Sequence, residues 1–176
     1  MAPAVDSTRS GSVLERILYG TRERIAGTIY GTILVMAVLA AGADSSAIDA
    51  WELDVLMVST VVVLWAAHVY AHAIAESLTS EKRLNRRIVS DVAGRESSIV
   101  LAGAVPGLVL LLGVLGLYSD STAVSIALGV CMLTLGVQGV RYARMARLSA
   151  PATAVFVMLN LTLGLVIVSL KVTLAG

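Results

Sequence analysis

Residues 53–77 read LDVLMVSTVVVLWAAHVYAHAIAES, a run long and apolar enough to cross a bilayer as a helix, yet it carries Asp54, His68, His72 and Glu76. Steps of three and four keep residues on one helical face, so Asp54, Val61, Trp65, His68, His72 and Glu76 fall close to one line. The other faces are almost wholly aliphatic. Ionisable groups inside a membrane span are costly and face protein interior or a watery cavity, so this edge is expected to look at other helices and not at lipid.

The composition agrees with a membrane setting. Of 176 residues, 57% are hydrophobic and 14% charged, and the mean hydropathy is +0.88, too apolar for an ordinary soluble domain. The expected fold is all-α, a polytopic bundle of five transmembrane helices preceded by a short amphipathic helix. Residues 1–12 are small and polar and read as a disordered tail. Residues 13–24, VLERILYGTRER, place Val13, Leu14, Ile17 and Leu18 at helical spacing against charged neighbours, the pattern of a helix lying in the membrane interface. No cleavable leader is expected, because the first apolar run follows four arginines.

The five spans are expected at about 25–42, 53–77, 97–118, 122–140 and 151–172. In the first, Gly27 and Gly31 form a GxxxG pair that admits another backbone, from within the bundle or from a second copy. Residues 43–52 read as a loop, and the basic stretch TSEKRLNRRIVSDVAGRE after the second span reads as a hydrophilic connection in which that helix continues for a turn or two. Pro106 removes a backbone donor from the third span and predicts a kink near Gly103. Ser119 to Ser121 can cap the fourth, and Ser149 and Pro151 can open the fifth. Cys131 is a single thiol in an apolar run, so no intrachain disulfide can form.

Five crossings put Arg9, Arg16, Arg22, Arg24, Lys82, Arg83, Arg86, Arg87, Arg95, Arg141, Arg144 and Arg147 on one side and leave Lys171 alone on the other, twelve of the 13 basic residues against one. By the positive-inside rule the first side is cytoplasmic, which predicts a multi-pass protein of the inner (plasma) membrane with its amino terminus inside and its carboxyl terminus outside. Trp51, Tyr118 and Tyr142 fall at span ends, as an aromatic belt requires.

With a rise of about 1.5 Å per residue, His68 lies about two thirds of the way through the second span, His72 near the inner boundary and Glu76 at the inner surface. Tyr30, Gln138 and Asn160 share that band of depth on the first, fourth and fifth spans, so a polar pocket around His68 is expected. Three uses of it stay open. His68 and His72, four apart, can share a divalent transition metal such as Zn, Fe, Ni or Cu, although Glu76, about 12 Å from His68 along the helix, cannot join them on one ion. The same groups can relay protons. Or they hydrogen-bond to neighbours and hold the bundle together.

No Gly-rich phosphate loop, Ser/His/Asp set or paired-Cys motif is present, so enzymatic chemistry is not expected. The basic inner segments lack an aromatic platform, which predicts contacts with anionic lipids and no nucleic-acid partner. The residues therefore lead to a small-cation or proton transporter, or to a structural or accessory membrane subunit, in either case a homo-oligomer.

The phrases IYGTILVMAVLAAG, WAAHVYAHAIAESL and LGLVIVSLKV resemble those of a family of uncharacterised small integral membrane proteins common in actinobacteria, a likeness that covers most of the chain and implies no activity. The layout also resembles the vacuolar iron transporter family, in which five spans begin inside and the second helix runs on into the cytosol. There GTIYGT stands where that family tends to show a GxxDG turn, with Tyr30 in place of the Asp, and a basic segment replaces the glutamate-rich one after the second span. The resemblance implies the fold and raises iron as a cargo.

Overall fold

The chain was examined as a computed structural model, which describes residues 22–42, 49–80 and 83–174, with side chains from 24 and up to 169. Six helices make up the described residues: α1 (Arg22–Gly42), α2 (Ala50–Thr79), α3 (Arg86–Ala102), α4 (Ala104–Val114), α5 (Asp120–Met145) and α6 (Ala150–Leu174). No strand occurs among them. Four helices, α1, α2, α5 and α6, are each long and apolar enough to cross a membrane, and α3 with α4 supplies a fifth crossing if that bent pair is one span.

Local sequence explains where the helices start and stop. Asp49 caps α2 by accepting from the Glu52 N–H at 2.8 Å, so the loop expected over 43–52 ends three residues earlier. Its portion 43–48 lies outside the described residues, as does 13–21 of the expected amphipathic helix, while 22–24 belong to α1. In α1 two hydroxyls are satisfied by their own backbone: Thr28 donates to Arg24 O and Thr32 to Thr28 O, each at 2.7 Å. After α4 the chain turns through Gly116 at φ +80, with Leu117 N–H donating to Leu112 O and Gly116 N–H to Gly113 O. That is a Schellman stop, which needs a residue free to adopt the left-handed region.

The kink expected near Gly103 is present and goes as far as a break: two helices, α3 and α4, meet there with a bend of 41°. The break falls where Pro106 leaves the Ala102 carbonyl without its i+4 donor, and Gly103 N–H tightens onto Val100 O at 3.1 Å. The polar run 86–96, read as connection, is helical. Asn85 caps it through the Ile88 N–H at 3.0 Å, and the chain needs only 80–85 to turn back from α2.

The packing sets α1 in the middle: half of its apolar window is buried, against 11% for α6. Val35, Met36 and Leu39 of α1 meet Met57 and Val61 of α2, Ile99 of α3 and Leu135 of α5 in the main core. A smaller cluster of Val69, Ala73 and Val92 closes α2 against α3 beyond it. At 30 residues α2 is about 45 Å long, well over the roughly 30 Å of a hydrocarbon core.

Close approach of α1 and α3 depends on the GxxxG pair, which is used within the chain: Gly27 faces Ser98, and a Cβ on Gly31 would overlap the Ile99 carbonyl. Backbone on the far side cannot swing away as a side chain can. Gly31→Leu is therefore expected to cost at least about 1–3 kcal/mol. Gly94→Ala, at a position with nothing within 4 Å, should leave stability equal or better. Thermal unfolding of the two variants in detergent checks this; equal midpoints would refute the α1–α3 contact.

Candidate functional site

His68 and His72 sit one turn apart on α2, and their rings stack with centroids 4.4 Å apart and planes 28° from parallel. Tyr30 of α1 lies on the other face of His68, centroid to centroid 5.6 Å. The third helix supplies a group the sequence reading did not include, Glu96. Its Oε2 is 3.7 Å from His68 Nε2 and its Oε1 is 3.7 Å from His72 Nδ1. Glu96 is the most covered of the three, at 17% side-chain exposure, against 34% for His68 and 54% for His72. The cluster thus opens on the His72 side.

The spacing admits two chemistries. At 3.7 Å neither imidazole is hydrogen-bonded to the carboxylate, since such bonds run to about 3.2 Å. Two donors held about 2.1 Å from a tetrahedral metal are about 3.4 Å apart, so 3.7 Å is compatible with a shared ion as well as with an ion pair to a protonated imidazole. One ligand atom from each of His68, His72 and Glu96 can be chosen so that all lie within 4.8 Å of one another. Shifts of about 1 Å in flexible side chains would bring them onto one ion. Two imidazoles and a carboxylate with open positions form a donor set that suits Fe(II), Zn and similar divalent metals, and disfavours Ca or Mg.

The structure sorts the residues expected in the polar band into four places. Tyr30, His68 and His72 come together. Glu76 stands apart from them in an ion pair with Arg95, one turn further along α2. Trp65 is half-buried between the two apolar cores, and its Nε1 has no hydrogen-bond partner among the described residues. Gln138 and Asn160 are buried elsewhere. Asn160 donates to Phe156 O at 2.9 Å and lines a cleft of about 530 Å³ among α1, α5 and α6 with Ile25, Tyr142 and Phe156. Neither makes a hydrogen bond to the imidazoles among the described residues, so the single pocket expected around His68 divides in two. Equal depth on five spans does not imply contact, because α5 and α6 pack on the other side of α1.

Glu96 had one readable signal: it lies ten residues into α3, and α3 runs antiparallel to the end of α2, so its level matches that of the imidazoles. Seeing this required knowing that 86–96 was helix.

Comparison with known proteins gives no kin: no family model, curated protein or solved structure matches the chain.

The Glu76–Arg95 pair is partly exposed at both ends, 42% and 44%, so it is expected to contribute about 0–1 kcal/mol. Glu76→Gln should leave the unfolding midpoint within that margin and leave divalent-metal affinity unchanged. A loss of metal binding comparable with that of Glu96→Gln would move Glu76 into the site.

Proposed function

We propose that the protein is a multi-pass membrane protein of the inner (plasma) membrane that binds a divalent transition metal at His68, His72 and Glu96 and carries it through the bundle. The observation that supports this most is the meeting of three ligating groups from two helices at metal-like spacing, with Tyr30 closing one face of His68. Borderline cations prefer imidazole, so Fe(II), Zn or Co is the cargo class, in keeping with the layout resemblance to iron transporters. The basic residues on alternate ends of five crossings give the amino terminus inside, which puts the cluster in the cytoplasmic half of the membrane.

Lipid enters the same reading as a partner. An apolar groove of about 770 Å³ between α5 and α6 is floored by Gly136 and Leu161 and ends at Arg141 and Arg144. An acyl chain with a phosphate at its end fits that order of groups. The exposed face of α6 is left for more lipid or for a second copy of the chain, the homo-oligomer of the same proposal. In a structural or accessory subunit the imidazoles would serve only to bind α2 to α3, and neither metal uptake nor flux would follow.

The purified protein is expected to take up Co(II) in a one-to-one complex, seen by its visible absorption and by calorimetry with Zn(II). Glu96→Gln should weaken binding by more than the roughly 10–100-fold typical of losing an outer-shell partner, and the double change His68→Ala, His72→Ala should abolish it. In liposomes the parent should pass Zn(II) or Fe(II) and the double variant should not. Binding without flux would leave a metal-holding accessory protein; neither would refute the proposal.

A further inference from the structure

At the opposite end of α2 from the imidazoles, Asp54 is 5% exposed and its Oδ1 has no hydrogen-bond partner among the described residues. It lies 14 residues before His68, roughly 21 Å along the helix, with Met57 and Val61 fully packed between them. The two places are therefore separate. What Asp54 faces is the first turn of α4: a Cβ on Gly107 would lie 3.1 Å from Oδ1 and 3.2 Å from Met57 Cε, so the carboxylate is packed closely against that backbone. Between α2 and the α3–α4 break lies a recess of about 470 Å³, bounded by Asp54, Val58, Val62, Val100, Leu101 and Leu108 among others. Among the described residues, Asp54 is the only ionisable side chain on its wall.

A buried carboxylate in an apolar wall calls for a counter-charge, because desolvation of an unpaired ion costs several kcal/mol even after relaxation. The first turn of α4, where Gly107 meets Asp54, carries the positive end of a helix and answers part of that need. The Ala102 carbonyl that Pro106 leaves without a donor is an acceptor, so it adds to the need for a cation and does not meet it. A carboxylate beside an interrupted span, with freed carbonyl and helix-end dipoles, is the arrangement by which membrane proteins hold Na⁺ or H⁺.

We infer that Asp54 and the α3–α4 break form a second cation site, which takes a small monovalent cation, H⁺ or Na⁺, and is distinct from the divalent-metal cluster. Oxygen donors alone are hard, and the recess contains no imidazole or thiolate, so a borderline metal has nothing to prefer there. The inference stands apart from the metal reading, since no residue is shared.

Dicyclohexylcarbodiimide, which partitions into apolar surroundings and converts a protonated carboxyl to a stable N-acylurea, tests it on the full chain in liposomes, with peptide mapping by mass spectrometry. The carboxyl O–H adds across one N=C bond, its proton passing to nitrogen, and the acyl group then migrates to nitrogen, so no other reagent is consumed. Labelling of Asp54 is expected in Na⁺-free buffer. If Na⁺ at constant ionic strength, but not K⁺, lowers the labelling at least tenfold, the cation is Na⁺; if neither ion protects, it is H⁺. An unlabelled Asp54 in Na⁺-free buffer would overturn the inference, because the carboxylate would then be permanently engaged by protein groups. Asp54→Asn should abolish the adduct at that position and leave Co(II) absorption at the other site unchanged, which separates failure here from failure of the metal reading.

Discussion

Hydrocarbon offers no hydrogen-bond partner, and in this chain that single fact governs which helices touch. α2 carries two imidazoles and two carboxylates along one edge: Asp54 faces Gly107 of α4, His68 and His72 share Glu96 of α3, with Tyr30 of α1 stacked on His68, and Glu76 pairs with Arg95 of α3. All four groups face α3 or α4. The broken crossing is thus packed along the polar edge of α2 from one end to the other. α1 wedges beside it, its small residues permitting backbone contact with α3 and its Tyr30 reaching round to the imidazoles.

The chain was readable in proportion to how directly each feature follows from local chemistry. Apolar length marked the four unbroken helices that are long enough to cross a membrane, because roughly 20 apolar residues in sequence have few alternatives. The prolyl ring at 106 marked Gly103 as the weak point, since a missing N–H acts at fixed distance along the chain. What failed was the stretch from Arg86 to Glu96. Its charges argue for water, and only tertiary support reveals it as helix: the Asn85 cap and the burial of Val92 against Val69 and Ala73.

The same limit applied to the candidate site. Periodicity alone placed His68 and His72 on one edge, and their adjacency on a helix made a shared ligand conceivable. Which residue would complete the set depended on the packing of α3, and Glu96 fell one position outside the expected third span. Gln138 and Asn160 show the converse error. Depth along a span is legible in sequence, but the azimuth around the bundle is not: both amides are buried, Asn160 donates to its own helix and lines the α1–α5–α6 cleft, and neither bonds the imidazoles among the described residues.

The uneven covering of the three ligating side chains shapes how fast an ion held among them would come and go. Glu96 is enclosed, while His72 at 54% and His68 at 34% side-chain exposure leave the cluster open on the imidazole side, His72 most of all. Were an ion held there as proposed, a new donor could reach it over the imidazoles before the protein let go, which is the kinetic character of a hand-over point rather than of a store.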